Sequence, residues 1–376
     1  MKIIQTVSGI GMESAGPSYS VPGLCRGLNS LGVDVCLHAR MRKGAKELPF
    51  KYVAYPYLRS RILPGRNPPM LAGLRRACID ADILHSNGLW SMPTVYPGWA
   101  VRGTKCKLVV APRGSLANWA LHNGYFKKKI FGLFLQNQVL RRANMFHATS
   151  EKEYEEIRDQ GYWQPVAIVP IGMDLPEVEC SSVERVEGKR KIIFFGRLHK
   201  VKGVDRLVRA WEQVAREGWE LVIAGPDRGM LEVLKEFVAE RKLPRVSFVG
   251  EIKGQAKYEF LASGDIYVLP SDTENFGITV AEALVSGTPV IASHGTPWQG
   301  LERERCGRWV PIGVEPLAMA LNDMMVMSDE ERTAMGARGR EWIRRDFSWE
   351  GIGAQMKSAY EWLLGKGDRP ECVRVD

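Results

Sequence analysis

DIYVLPSDTENFGITVAEALV, residues 265–285, reads as a strand, a short polar loop and a helix start in succession. The apolar run ends near Pro270, the loop SDTENFG follows, and helical spacing begins near Ile278. A strand feeding a helix in this way is the repeating unit of a parallel sheet covered by helices. Outward from this stretch the same alternation fills most of the chain. KIIFFG (191–196), WELVIAG (219–225), VSFVG (246–250) and TPVIAS (288–293) are strand candidates, each followed by a helix or a turn. Toward the N-terminus the candidates are KIIQTV (2–7), VDVCLHA (33–39), ADILHSN (81–87), CKLVVAP (106–112), NMFHATS (144–150) and PVAIVPI (165–171). Helical patterns such as Tyr19–Leu31 and Glu151–Gln160 lie between them, and the polar run 176–190, PEVECSSVERVEGKR, interrupts the alternation as a linker. The tail reads as consecutive helices, Pro316–Met327, Asp329–Arg345 and Trp349–Leu364.

The expected architecture is therefore α/β, with two doubly wound parallel-sheet domains. They are expected at 1–178 and 189–348, with a C-terminal helix and tail, 349–376, returning to the first. The length of 376 residues suits two cores better than one. A hydrophobic content of 45% with 25% charge is ordinary for a globular protein, and no uninterrupted apolar run is long enough for a membrane span. The first residues, MKIIQTVSGIGMESAG, read as a strand and not as a signal peptide. The seven cysteines are odd in number and widely spaced, which suggests neither a disulfide framework nor a zinc site and fits a reducing cytoplasm.

Charge is unevenly distributed. Residues 1–150 carry 21 Lys+Arg against 5 Asp+Glu, while the remainder is net acidic. A basic half points to an anionic partner, a phosphorylated substrate or an acidic membrane surface, or is simply a solvated face. Nucleic acid is disfavoured, because no recognition motif accompanies the charge.

In open parallel sheets ligands bind beyond the carboxyl ends of the strands, so functional residues are sought there. After the strand ending at Pro270, Glu274 sits in the loop and Glu282 early in the helix, around Asn275, Phe276, Gly277 and Ile278. Helix-start amides attract anions, and carboxylates on either side accept hydroxyl hydrogen bonds. A nucleotide sugar presents that sequence of groups: sugar hydroxyls, diphosphate, ribose hydroxyls. Read alone, Glu282 is equally a dipole-stabilising carboxylate and Glu274 a solvated loop charge. After the strand ending at Gly196, the loop carries Arg197, Lys200 and Lys202, which are either phosphate ligands or surface cations.

Taken together, Gly196-Arg197-x(4)-Lys202-Gly203 and Glu274-x(7)-Glu282, with Phe276-Gly277 after the first glutamate, resemble glycosyltransferase family 4. The resemblance implies the GT-B fold, two Rossmann-like domains facing across a cleft. It implies that Arg197 and Lys202 hold the donor diphosphate. Glu274 and the backbone from Asn275 to Ile278 would hold the donor sugar, and Glu282 the ribose. Ile252 would then meet the base edge, Gly225 would flank the nucleotide, and the loop ending near Gly16 would reach toward the diphosphate. His85 and Arg113 follow strands and are expected at the acceptor side. Arg113-Gly114 stands where many members have His-Gly, so a role carried by histidine there is in doubt, and Arg113 would instead bind an acceptor phosphate or contact the donor. His147 is an acceptor-pocket candidate or a packed core histidine.

The implied reaction is transfer from a nucleotide-diphosphate sugar, UDP foremost, to a saccharide or lipid-linked saccharide, with retention and without metal or other cofactor. The run 296–310, TPWQGLERERCGRWV, resembles the cell-surface polysaccharide and lipopolysaccharide branch of the family. Lys127, Lys128 and Lys129, within the basic and apolar stretch Tyr125–Arg142, suggest a peripheral position on the inner face of the cytoplasmic membrane, or a core helix with a cationic end. Three other readings are a nucleotide-sugar epimerase of the same fold, a non-catalytic nucleotide-sugar-binding subunit and a nicotinamide oxidoreductase. The first lacks identifiable acid and base carboxylates. The second does not explain why both cations and both glutamates are present. The third fails because Gly9-Ile-Gly11-x-x-Ser14 lacks the third glycine of the dinucleotide fingerprint.

Overall fold

The structure, a computed structural model, describes residues 1–11, 16–41, 47–58, 63–122, 131–175 and 190–375. The chain divides into two compact units, Met1–Asp174 with Phe347–Asp376, and Leu175–Asp346. But for Arg190, the expected linker 176–190 lies outside the described residues.

The first unit is built on strands β1 (Lys2–Val7), β2 (Asp34–Arg40), β3 (Tyr52–Tyr55), β4 (Ile83–Asn87), β5 (Lys107–Ala111), β6 (Met145–Ala148) and β7 (Val166–Ile168). They lie in the order β7-β6-β5-β4-β1-β2-β3, all parallel. The order reverses between β1 and β4, the switch point of a doubly wound sheet. Buried residues alternate between the two faces. Ile4, Leu84, Leu108, Val110 and Phe146 fill one core, and Ile3, Val35, Leu37, Ile83, Val109 and Met145 the other. Cutting one of these large side chains to Ala costs about 2–5 kcal/mol. Tyr52–Tyr55 escaped the sequence reading because two of its four residues are exposed, as suits the edge of a sheet. Val373–Arg374 escaped it because two residues carry no period; it adds an antiparallel edge strand on β7.

Helix Gly16–Ser30 packs against helix Trp349–Leu363, which puts the C-terminal tail in this unit. The approach is backbone on backbone. A Cβ added at Gly27 would stand 2.2 Å from the Trp349 carbonyl oxygen, and one at Gly353 would stand 2.7 Å from the Gly27 carbonyl carbon.

The second unit holds β8 (Arg190–Phe195), β9 (Trp219–Ala224), β10 (Val246–Gly250), β11 (Ile266–Leu269), β12 (Val290–Ser293) and β13 (Gly307–Val310). Their order is β10-β9-β8-β11-β12-β13, again parallel, with the switch point between β8 and β11. β13 is the one strand of this sheet that the sequence reading missed, its GRWV being mostly half-buried and uneven in pattern. The two motifs of the family resemblance therefore fall at the ends of the two adjacent strands that flank the switch point.

Candidate functional site

Lys202 and Glu274 meet. Their side chains form an ion pair at the carboxyl ends of β8 and β11, each about one-eighth exposed, at 12% and 13%. Ser271 Oγ donates a second hydrogen bond to Glu274 Oε1 at 2.7 Å. The approach depends on Gly203, which ends the 3₁₀ turn Lys200–Lys202 with φ 65°. A Cβ there would stand 2.2 Å from the Pro270 carbonyl oxygen, so only glycine lets the two loops touch. Arg206, from helix Val204–Val214, fastens the same loop by donating to Pro270 O and pairing with Asp272, both at 2.7 Å.

The helix Ile278–Val285 starts at Gly277, whose left-handed φ of 77° turns the chain from loop to helix. Trp298 Nε1–H donates to the Phe276 carbonyl at 2.5 Å, and the two rings lie edge to face with centroids 5.2 Å apart. Trp298 thereby fixes the loop from behind, while Ile278 at the helix start stays partly accessible. Glu282 is 5% exposed and pairs with Lys257 of helix Gln255–Ala262 at 2.5 Å. Burial pushes the Glu282 carboxyl above its ordinary range, against the pull of Lys257. Burial likewise works against the Lys257 ammonium, but Glu282 and Tyr258 together hold its pKa above the ordinary lysine value.

Of the other residues singled out, Arg197 is exposed just after β8 and makes no side-chain hydrogen bond or ion pair to any described residue. Gly225 lies at the end of β9, where a Cβ would stand 1.8 Å from the Gly196 carbonyl oxygen. Ile252 is half-buried in the loop after β10, and Asn275 is half-buried in the loop before Gly277. Gly16 opens its helix and is exposed, but the loop 12–15 before it lies outside the described residues, as do Lys127, Lys128 and Lys129. Sequence reasoning missed Lys257, Arg206 and Trp298. Each acts from a distant position through a side-chain contact, and no local pattern marks such a contact.

In the first unit both candidate histidines lie buried inside strands. His85 was expected just beyond its strand but lies inside β4, 0% exposed, because β4 runs on to Asn87. His147 lies inside β6 at 2%. Both rings belong to a hydrogen-bond chain whose direction one carbonyl fixes. The Val169 carbonyl accepts from His147 Nε2–H at 2.9 Å, so His147 Nδ1 is an acceptor. His85 Nε2–H donates to it at 3.4 Å, which leaves His85 Nδ1 to accept from Tyr360 O–H at 2.6 Å and from Gln5 Nε2–H at 3.1 Å. Gln5 Oε1 in turn accepts from Asn87 Nδ2–H at 2.9 Å. Asn87 Oδ1 is thereby left facing Arg113, whose Nε–H and Nη2–H reach it at 3.1 and 2.8 Å. Burial, reinforced by the charge of Arg113, pushes both imidazoles well below the usual histidine range, so both are neutral.

Arg113 follows β5, is half-buried and has a left-handed φ of 56°. Glu153, 1% exposed, clamps the loop behind it by accepting from Gly114 N–H at 2.6 Å, Thr149 N–H at 2.7 Å and Thr149 O–H at 2.9 Å.

Two Rossmann-like sheets with an ion-paired lysine and glutamate at the second switch point define the class, a GT-B glycosyltransferase. Residues 179–342 match the family described as Glycosyl transferases group 1, and residues 15–172 match the Glycosyl transferase 4-like domain. The chain belongs to glycosyltransferase family 4, as its two motifs imply. It is similar to the GDP-mannose-dependent monoacylated alpha-(1-6)-phosphatidylinositol monomannoside mannosyltransferase of Corynebacterium glutamicum, 31% identical over 50% of this chain and 54% of that one. It is also similar to the D-inositol 3-phosphate glycosyltransferase of Xylanimonas cellulosilytica, 27% identical over 60% of this chain and 58% of that one. The chain thus spans just over half the length of these relatives. Among solved structures, Anabaena Alr3699/HepE in complex with UDP and glucose superposes with a TM-score of 0.75 at 15% identity, over 96% of this chain and 100% of that one.

Proposed function

We propose that the chain transfers a sugar from a nucleotide-diphosphate sugar to a saccharide or lipid-linked saccharide acceptor, with retention and without a metal ion. The observation that carries the reading is the Lys202–Glu274 pair beside the open start of the Ile278 helix. Lys202 supplies a point charge for the departing diphosphate, Arg197 a planar fork, and the helix-start amides a preorganised dipole, which is how charge developing on a leaving group is stabilised. Glu274 accepts from the sugar hydroxyls and Glu282 from the ribose. Departing phosphate takes the acceptor's proton on the same face, so no side chain need act as base. Ile252 and Gly225 border the nucleotide.

One relative's name specifies GDP-mannose, and the HepE structure holds UDP, so donors of both kinds are tested. Purified enzyme is incubated with UDP- and GDP-sugars and a membrane extract, with and without a chelator, and released nucleotide diphosphate and product anomer are measured. The expected result is chelator-insensitive release with an axial-to-axial or equatorial-to-equatorial outcome. No release from any donor would overturn the reading.

The acceptor's class and the cell-surface role are part of the same proposal, as is a peripheral membrane position. Its support among the described residues is that Phe134 and Trp163 are 64% and 68% exposed and that Arg141 and Arg142 are exposed as well. None of the helices is long and apolar enough to cross a membrane among the described residues. Binding to anionic but not to neutral vesicles, weakening as salt rises, is the expected result of a sedimentation assay. Equal binding to both vesicle types would remove the electrostatic argument.

A further inference from the structure

The Arg113 guanidinium has no counter-charge among the described residues. Two hydrogen bonds run from its Nε–Nη2 edge to one neutral oxygen, Asn87 Oδ1, and no carboxylate pairs with it. Glu153 is the carboxylate whose charge reaches it, but both Glu153 oxygens are spent on Gly114 and Thr149. A charge withdrawn from water without a partner is costly, so proteins pair it or leave it for a ligand. Elsewhere in this chain the pairing is made: Arg332, 1% exposed, bonds to Asp329, and Arg206 bonds to Asp272.

The guanidinium is also held in one orientation. The hydrogen-bond chain from the Val169 carbonyl through His147, His85, Gln5 and Asn87 fixes which face of the Asn87 amide meets it. The loop is pinned from two further sides. Glu153 grips Gly114, and Trp90 Nε1–H donates to the Ser115 carbonyl at 3.0 Å. Arg113 and Trp90 both take left-handed backbone, φ 56° and 67°, at the ends of adjacent strands. Such strain persists where the surroundings over-determine it, and it gathers at ligand sites. What remains free among the described residues is the Nη1–Nη2 edge, two parallel N–H donors spaced for the two oxygens of a phosphate or carboxylate. Arg113 stands one strand from the β1/β4 switch point, the position where such sheets bind ligands. Arg40, at the end of β2 on the other side of that point, also lacks a carboxylate partner among the described residues, its Nε–H going to the Ser8 carbonyl.

We propose that Arg113 is an oxyanion receptor of the first unit, taking a phosphate or carboxylate group of a substrate. The assignment deepens the glycosyltransferase reading. It makes that group part of an anionic acceptor, unless the group proves to be the donor's own phosphate.

The test is an NMR titration of the full-length, arginine-¹⁵N-labelled chain with inorganic phosphate, with and without saturating UDP, for wild type, Arg113→Gln and Arg113→Lys. Phosphate is expected to bind the wild type, about tenfold more weakly to Arg113→Gln, and with intermediate strength to Arg113→Lys, which keeps the charge but not the fork. Binding that survives UDP assigns the site to the acceptor, and binding abolished by UDP assigns it to the donor phosphate. Equal phosphate affinity in wild type and Arg113→Gln, or no phosphate binding to the wild type, overturns the proposal. UDP affinity and exchange protection of β4 and β6 are measured in each variant. Loss of folding is thus seen directly, and a failure to bind UDP counts against the donor reading alone.

Discussion

Lys202→Ala is expected to lower kcat/KM about 10³-fold, and Glu274→Ala by a comparable factor, the size seen when one preorganised group is removed from a developing charge. The two changes are expected to move UDP affinity in opposite directions. In the structure Lys202 is held by Glu274, with Ser271 donating to the same carboxylate oxygen. Removing the lysine leaves a largely buried carboxylate facing an incoming diphosphate, so UDP binds more weakly. Removing the glutamate frees the lysine from a competing anion, so UDP binds more tightly, although the sugar loses its acceptor and turnover falls. This opposition separates the proposed site from a structural ion pair, whose loss would lower stability in both variants and leave UDP affinity alone. Isothermal titration with UDP, beside initial rates on the donor found active, makes the comparison. Full activity in a folded Lys202→Ala/Glu274→Ala protein would sink the assignment.

The fold class was legible because strands buried on both faces read as unbroken Val- and Ile-rich runs, and such runs recur with helices between them. WELVIAG, VSFVG, DIYVLP and TPVIAS each contain a strand of the second sheet, and KIIFFG holds all of β8 but its first residue. Arg197, Lys202, Glu274 and Glu282, which we propose on the donor side, lie in short motifs directly after strands, and that position is what singles them out in the sequence. What holds them was not legible. Lys257 is 25 residues from Glu282 in sequence, and Trp298 is 22 residues from Phe276. Neither distance is a period of helix or strand. His85 shows the opposite failure. Strand-end reasoning placed it at the exposed edge, but the strand continues through Ser86 and Asn87, and two residues are enough to carry a side chain from rim to core. The partner that claims it, Tyr360, is 275 residues away on the C-terminal helix. No motif spans such a separation.

That buried chain makes the first unit acid-sensitive. His38, His85 and His147 are 4%, 0% and 2% exposed. Burial pushes His38 down to about 4 and the other two well below the ordinary histidine value. Their folded pKa values lie below the unfolded value of about 6.5, so the unfolded chain gains protons first as pH falls. Stability is full above that pH and is lost progressively beneath it, down to about pH 4 for His38. Between about pH 7.5 and 5.5 His38 costs about 1 kcal/mol, and His85 and His147 act in the same direction. Glu156 works the other way. Burial, reinforced by Glu153, raises its carboxyl to about 7, so the folded form takes up that proton in the same window and regains part of the loss. Glu156→Gln, which has no proton to take up, is therefore expected to lose more stability over this window than wild type. Two units need not unfold together, so a global melting curve is a poor measure. Hydrogen exchange of the β4 and β6 amides across a urea series, corrected for intrinsic rates, reads this unit alone. Protection in Glu156→Gln that stays level from pH 7.5 to 5.5 would show that the imidazoles do not stay neutral. In that case the single direction of the chain from Val169 to Arg113 would fail with them.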